Sequence, residues 1–405
     1  MRSFLLLVCG IAFSSAAFSS AAFSSAAFSC SAQNEEIQTG ASQLATGPGT
    51  SPVELASKQI GLVVNQSSVV GNSHLVELLL QQGLQVKKIF SPEHGFRGTA
   101  DAGAKVENSL DSQTGLEVIS LYGKDKKPTA EALKGINLLM FDLQDVGVRY
   151  YTYLSTLHYV MEAAAEQNIP LLVLDRPNPN GAYVDGPVLD KNYQSFVGLH
   201  PIPLLHGMTL GELALMIKGE GWINKAEQLK LYVLSVKNYQ RDMPYELPVR
   251  PSPNLPNAQA VALYPSLGFF EATPLSIGRG TDFAFQVLGY TNPPLGNFAF
   301  SPVPKAGASL NPPLKNQLAL GLDLRKVKAG GLDLSYLIQA QTVFAKHQLK
   351  LFNSPDFMDK LSGTNKLRQQ LEQGWSEAQI RQSWQSELIK FRQQRQPYLL
   401  YPDQH

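Results

Sequence analysis

Lys88–Gly98 reads KIFSPEHGFRG. The apolar run of Val86, Ile89 and Phe90 stops at Pro92, and the turn that follows carries Glu93, His94 and Arg97, with glycines at 95 and 98. A buried strand that breaks into a polar, glycine-bearing loop is how an open α/β sheet presents chemistry, because ligands sit in the crevice at the carboxyl ends of its strands. The same grammar recurs at Ile136–Asp145, INLLMFDLQD, and at Pro170–Asn178, PLLVLDRPN. Three apolar strands that end in acids and arginines predict a parallel sheet with a polar rim.

Outward from that rim, strands are expected at Ile60–Asn65, Lys87–Ser91, Glu117–Leu121, Asn137–Phe141 and Leu171–Leu174. Helical patterns fall between them, at Leu75–Gln81, Thr129–Leu133 and Ser155–Gln167. The last has apolar residues at 157, 160, 161, 164 and 165, a helical spacing. Thr209 with Glu212 forms a capping-box pattern that opens a further helix to about Lys218. Strands alternating with helices give an α/β, Rossmann-like parallel sheet domain, placed at residues 53–224. Beyond Trp222 the pattern changes. A strand at Lys230–Val236 is followed by proline-rich, irregular stretches at Pro244–Pro274 and Asn292–Pro313, then by helical pattern at Leu334–Lys346 and Asn365–Gln396. A smaller α+β C-terminal domain, residues 225–405, is expected to close a cleft against the first. The polar loop Gly103–Gly115 is long enough to act as a lid.

The 405 residues are 44% hydrophobic and 17% charged, with a formal net charge of +1. That is an ordinary globular composition, without a basic field to draw nucleic acid. Arg2 followed by FLLLVCGIAF at Phe4–Phe13 fits a secretory signal, assigned to residues 1–30, and residues 31–52 read as a flexible linker. Both cysteines, Cys9 and Cys30, lie in that leader. Cleavage before Cys30 leaves a lipid-modified N-terminus, and cleavage after Ala32 leaves no cysteine at all. The expectation is an exported protein, periplasmic or lipid-anchored to the cell envelope, without an intramolecular disulfide.

Glu93 is the first candidate for chemistry. A carboxyl group in a partly desolvated cleft can serve as a general acid; the competing reading is a loop carboxylate paired with Arg97. Asp142 and Asp145, with Arg149, Tyr150, Tyr151 and Tyr153 following, combine acids, a guanidinium and rings within a few residues. Acids serve glycoside chemistry, aromatic faces cover sugar rings, and arginine grips carboxylates in a fork. The alternative is a capping acid, a structural arginine and core tyrosines. Asp175, Arg176 and Asn178 close the third rim strand, either as site residues or as a brace for the loop. His206 precedes the Thr209 helix, and Glu212 is most simply its capping partner. Asn254, Glu271 and Arg279 lie on polar loops of the second half and are placed to reach back into the cleft. Paired metal-ligand spacings, nucleotide-binding glycine motifs and a GxSxG elbow are all missing, so neither metal nor cofactor is called for.

Six motifs occur in order: SPEHGFRG at Ser91–Gly98, FDLQDVGVRYYTY at Phe141–Tyr153, LDRPNPNG at Leu174–Gly181, HGMTLGELA at His206–Ala214, PSPNLP at Pro251–Pro256 and SIGRGTDF at Ser276–Phe283. Together they resemble the NamZ-type, or YbbC-like, exo-β-N-acetylmuramidases. The resemblance runs from about Ile60 to Tyr401. It implies an exo-acting glycosidase that releases N-acetylmuramic acid from the non-reducing end of peptidoglycan fragments, muropeptides or MurNAc-GlcNAc disaccharides. By motif it implies Glu93 as catalytic acid, with Asp142, Asp145, Arg149, Tyr151, Arg176 and Asn178 as cleft residues. The expected site has Glu93 as acid with Asp142 or Asp145 as second carboxylate, and His94, Arg97, Arg149, Tyr151, Arg176, Asn178, His206, Asn254, Glu271 and Arg279 as substrate contacts. The chain departs from the family pattern at Glu271–Pro274, EATP. Muramic acid carries a lactyl carboxylate that other hexosamines lack, and Arg149, Arg176 or Arg279 is expected to bind it. Two rival functions stay open at this point: a non-catalytic periplasmic muropeptide-binding protein, and a deacetylase or lactyl etherase acting on the same fragments.

Overall fold

The computed structural model describes residues 36–403 except 99, 102, 105 and 106. The leader and Cys30 lie outside the described residues. The body from Ile37 onward is one compact unit.

Its centre is a seven-stranded sheet. From one edge to the other the strands are Leu231–Leu234, Leu171–Leu174, Leu138–Asp142, Gln59–Val64, Gln85–Ser91, Glu117–Ser120 and Ser109–Leu110. All neighbours pair in parallel except the last two, which are antiparallel. The chain winds outward from Gln59–Val64 in one direction, then returns to its other side at Leu138–Asp142. That reversal is a topological switch point, and it puts the ends of the central strands beside a crevice.

Side-chain alternation fills both faces of the sheet. Ile60, Leu62, Val64, Leu138, Met140, Leu172 and Leu174 point into one core, with Leu75, Val76 and Leu79 of the helix Leu75–Gln81. Val63, Leu139, Phe141, Leu171 and Val173 point the other way, onto helices Tyr153–Glu166 and Leu210–Gly219. A period of two along each strand, buried on both sides, is why the runs read as continuously apolar. The second core continues without a break into the C-terminal half. There an antiparallel sheet in the order Val287–Tyr290, Ala319–Asp323, Phe298–Phe300 packs with helices.

Several expectations need correction. Part of the expected linker is folded: Gly40–Thr46 is a helix capped by Thr39, with Ala41 and Leu44 in the core. A Cβ on Gly40 would lie 2.6 Å from the Leu234 carbonyl oxygen, so only glycine lets this helix seat on the strand ends. Residues 130–135 form turns rather than a helix. The stretch Pro244–Pro274 contains a regular helix, Ala258–Leu267, capped by Asn257 and tolerating Pro265 inside it. The expected long helix at 365–396 is three: Lys366–Glu372, Glu377–Ser383 and Gln385–Arg395, interrupted at Gly374 and restarted by a Ser376–Gln379 capping box. The strand Leu231–Leu234 lies beyond the division placed at 224 and belongs to the large sheet, pairing with Leu171–Leu174.

Gly147, in the loop between Leu138–Asp142 and Tyr153–Glu166, shows how tightly the rim is packed. Its φ is +76°, and a Cβ there would lie 2.0 Å from Asn178 Oδ1. Gly147→Ala is therefore expected to destabilise the fold by roughly 2–4 kcal/mol, combining left-handed backbone strain with displacement of Asn178. The denaturant midpoint measures this; an unchanged midpoint would contradict the packing described.

Candidate active site

The strand Gln85–Ser91 delivers its chain into a turn with three left-handed residues, His94 (φ +71°), Gly95 (+76°) and Gly98 (+66°). A histidine in that region is unfavourable on its own, and such outliers gather where side chains must be aimed. His94 Nδ1 lies 2.9 Å from the Ala100 carbonyl, so in the neutral ring Nδ1 carries the proton and Nε2 is left as an acceptor. Burial, opposed by the charge of Glu93, lowers the pKa of this ring and favours the neutral form.

Glu93 and His94 line a cleft of about 620 Å³. Its lining comes from both halves of the chain: Tyr122, Tyr150, Tyr151 and Thr152 from the first, Ser252, Asn254, Tyr264, Glu271, Arg279 and Phe285 from the second. Glu93 is held by donors. Oε1 accepts from the Gly103 N–H at 2.9 Å, and Oε2 accepts from the Thr152 hydroxyl at 2.7 Å. An amide N–H can only donate, whereas a hydroxyl can also accept, so Oε2 is the oxygen that can take up a proton without losing its partner. The Tyr122 hydroxyl faces the same carboxylate, and burial together with that charge raises its pKa.

The tyrosines after Asp145 join the two halves. Tyr151 donates to the Pro251 carbonyl at 2.9 Å, and Tyr150 to the Tyr264 carbonyl at 2.7 Å, the open end of the helix containing Pro265. Asn254 donates to the Ala308 carbonyl at 2.9 Å. Arg279 Nη2 bonds Glu271 Oε1, and its guanidinium lies 5.1 Å from the Phe285 ring centroid.

Of the residues expected from sequence, the structure thus brings Glu93, His94, Tyr151, Asn254, Glu271 and Arg279 to one cleft. It does not bring the others. Asp142 is fully buried and held by Arg176, whose Nη2 donates to Oδ2 at 2.9 Å. Arg149 is buried and donates to the carbonyls of Pro187, Ile202 and Leu361 at 2.7, 2.8 and 3.1 Å; burial lowers its pKa to about 9. Asn178 bonds the Met208 carbonyl and the Asn180 N–H. His206 is buried beside Arg395, Arg149 and Arg241, and burial with those charges takes its pKa down to about 3. Arg97 turns away to Asp111 and Gln113, at 2.8 Å each. Asp145 lies behind the tyrosine wall, accepting from the Gly147 N–H, with Oδ1 unpartnered. Glu212 is the capping partner of Thr209 and pairs with Arg241.

Sequence reading missed Tyr122, Thr152, Ser252 and Tyr264. Tyr122 had a signal: it follows the strand Glu117–Ser120 and precedes Gly123, the rim grammar once more. Thr152 had none, since its partner lies 59 residues away.

An acid held among donors, in a tyrosine-walled cleft at the carboxyl edge of a doubly wound sheet, marks an α/β protein with the chemistry of a sugar site. Comparison with known proteins agrees. The N-terminal model of the exo-β-N-acetylmuramidase NamZ matches residues 60–259, and its C-terminal model matches residues 262–401. The chain belongs to that glycosidase family. It is 38% identical, over 92% of its own length and 93% of the relative's, to the peptidoglycan β-N-acetylmuramidase NamZ of Bacillus subtilis. Crystal structures of two DUF1343 family proteins from Bacteroides fragilis are also similar. One has 42% identity and a TM-score of 0.81, covering 91% of this chain and 99% of the other; the second has 30% identity and a TM-score of 0.78, covering 90% and 99%.

Burial pushes the pKa of Asp145 from 3.8 up to about 7, despite its bond from Gly147. The folded protein therefore holds this proton where the unfolded chain releases it. Stability from this group falls as pH rises from about 4 to about 7, then stays level. Asp145→Asn removes that penalty. Relative to wild type, it should gain about 2–3 kcal/mol between pH 5 and pH 8 in urea unfolding. An equal difference at both pH values would mean that Asp145 is not a buried, protonatable carboxyl.

Proposed function

We propose that this protein is an exo-acting glycosidase releasing N-acetylmuramic acid from the non-reducing end of peptidoglycan fragments, with Glu93 as the acid. The observation that carries the reading is the placement of Glu93: a carboxyl on the cleft wall, oriented by Gly103 and Thr152, facing tyrosine rings and an arginine. The name of the Bacillus subtilis relative supports it.

In this reading Glu93 gives its proton to the glycosidic oxygen as the bond from C1 to that oxygen breaks, and the bonding electrons leave with the oxygen. Water then supplies a hydroxyl to C1, and its other proton returns to the Glu93 carboxylate. Asp142 and Asp145 are withdrawn as second carboxylate, because one is committed to Arg176 and the other lies behind the cleft wall. Glu271 is paired with Arg279. The step that needs no further enzyme carboxylate is attack by the 2-acetamido group of the substrate on its own C1. It gives a product of retained configuration, which NMR of the first-formed anomer checks. Export, expected from the leader, belongs to the same proposal, since it brings the protein to the cell wall.

Glu93→Gln should lower turnover of a chromogenic β-N-acetylmuramic acid glycoside by about 10²- to 10⁴-fold, with an unchanged circular dichroism spectrum. A muropeptide receptor would give no turnover even in the wild type. Release of acetate or lactate instead of the sugar, read by mass spectrometry, would favour the other hydrolases.

A further inference from the structure

The three arginines expected to read a lactyl carboxylate are separated by the structure. Arg149 is spent on three backbone carbonyls inside the core, and Arg176 on Asp142 and the Val69 carbonyl. Arg279 is different. It lines the cleft, its side chain is 17% exposed, and its bond to Glu271 uses Nη2 alone. Nε and Nη1 have no hydrogen-bond partner among the described residues. The guanidinium is nevertheless not loose, being held at one nitrogen by Glu271 and along the ring of Phe285. The parallel N–H pairs of a guanidinium are Nε with Nη2 and Nη1 with Nη2. Whichever Nη2 hydrogen meets Glu271, the other completes a fork with an unpartnered neighbour, and such a fork on a fixed plane matches the two oxygens of a carboxylate.

The charges of the cleft point the same way. The acids on its lining are Glu93, Asp101 and Glu271, and among the described lining residues Arg279 is the one cation. Arg279 is therefore the one described lining side chain that can draw a substrate carboxylate by its charge.

Resting on the glycosidase reading above, we infer that Arg279 is the specificity-determining residue of the cleft. The fork that Nη2 keeps with Nε or Nη1, on the side away from Glu271, receives the lactyl carboxylate of N-acetylmuramic acid, and Glu271 holds the guanidinium in place from the other side. Glu271 has a second effect. As an anion on the same guanidinium it weakens the attraction for the incoming carboxylate, so it trades affinity for orientation.

The test compares chromogenic β-glycosides of N-acetylmuramic acid and N-acetylglucosamine, which differ only in the lactyl group. Arg279→Gln should reduce the ratio of their kcat/KM values by about 10- to 100-fold, the range for a lost charge-assisted hydrogen-bond pair. Arg279→Lys, which keeps the charge without the fork, should fall between that variant and wild type. Glu271→Gln keeps a hydrogen bond to Nη2 but removes the competing anion, and should lower KM for the muramic acid glycoside only. Calorimetry with free N-acetylmuramic acid and N-acetylglucosamine gives the same comparison without turnover. Folded Arg279 variants that keep the wild-type preference in both measurements overturn the inference. Wild type that cleaves neither glycoside overturns the glycosidase reading instead, and a binding preference that still depends on Arg279 would leave the inference standing.

Discussion

The buried pair of Asp142 and Arg176 fixes the geometry on which the cleft depends. The two residues leave neighbouring parallel strands, the first of them at the switch point, with side-chain exposures of 0% and 3%. Taking both charges out of water is costly, and such a pair holds only when its remaining hydrogen-bonding groups are satisfied. Here they are extended outward: Arg176 also donates to the Val69 carbonyl, and the Asp142 carbonyl accepts from Ser68. Three strand ends and the short hairpin after Gln59–Val64 are thereby clamped at one spot. The loop that starts at this clamp runs through Asp145 and the tyrosines to Thr152, which holds Glu93. The carboxyl that carries the proposed chemistry is thus oriented from a rigid base.

The rim is divided between two tasks. Polar groups on the Leu138–Asp142 and Leu171–Leu174 strand ends are turned inward, where Asp142, Asp175, Arg176 and Asn178 bond one another, the backbone or the Thr209 helix. The Gln85–Ser91 strand end is turned toward the cleft. Its turn passes through left-handed residues, so Glu93 and His94 project into open space, while Arg97 faces the other way onto Asp111. Buried polar groups that satisfy one another make the rim stiff. The turn after Gln85–Ser91 lies outside that network and, with Tyr122 after the next strand, lines the cleft.

The fold was legible because its signals are local. Strand after strand is a short apolar run, and burial on both faces makes that pattern conspicuous. The Thr209–Glu212 capping box could be read in four residues, as could its structural role. The roles of the rim residues were less legible, because they depend on partners brought near by topology. Arg149 is the clearest case: in sequence it sits among acids and tyrosines, yet its third carbonyl partner is 212 residues away. Asp142 ends its strand with the same rim signal as Glu93, and only Arg176, from the neighbouring strand end, commits it to a structural pair. Misjudged local structure has the same cause. The helix Gly40–Thr46 carries little apolar signal and is fixed by tertiary packing on the sheet, and Ala258–Leu267 survives its proline because tertiary packing supports it.

What remains in the cleft after these commitments is an arrangement of opposed charges with a neutral histidine between them. The charge of Glu93 acts on Arg279, and His94, kept neutral mainly by burial, adds no competing cation. A protonated His94 would offer a substrate carboxylate a second resting place beside Glu93, away from the tyrosine wall. With the ring neutral and its Nδ1 proton bound to Ala100, the attraction for an anion is concentrated on Arg279. On the proposed reading, the acid at Glu93 and the cation at Arg279 are two fixed points, and together they set the direction in which an anionic sugar can lie.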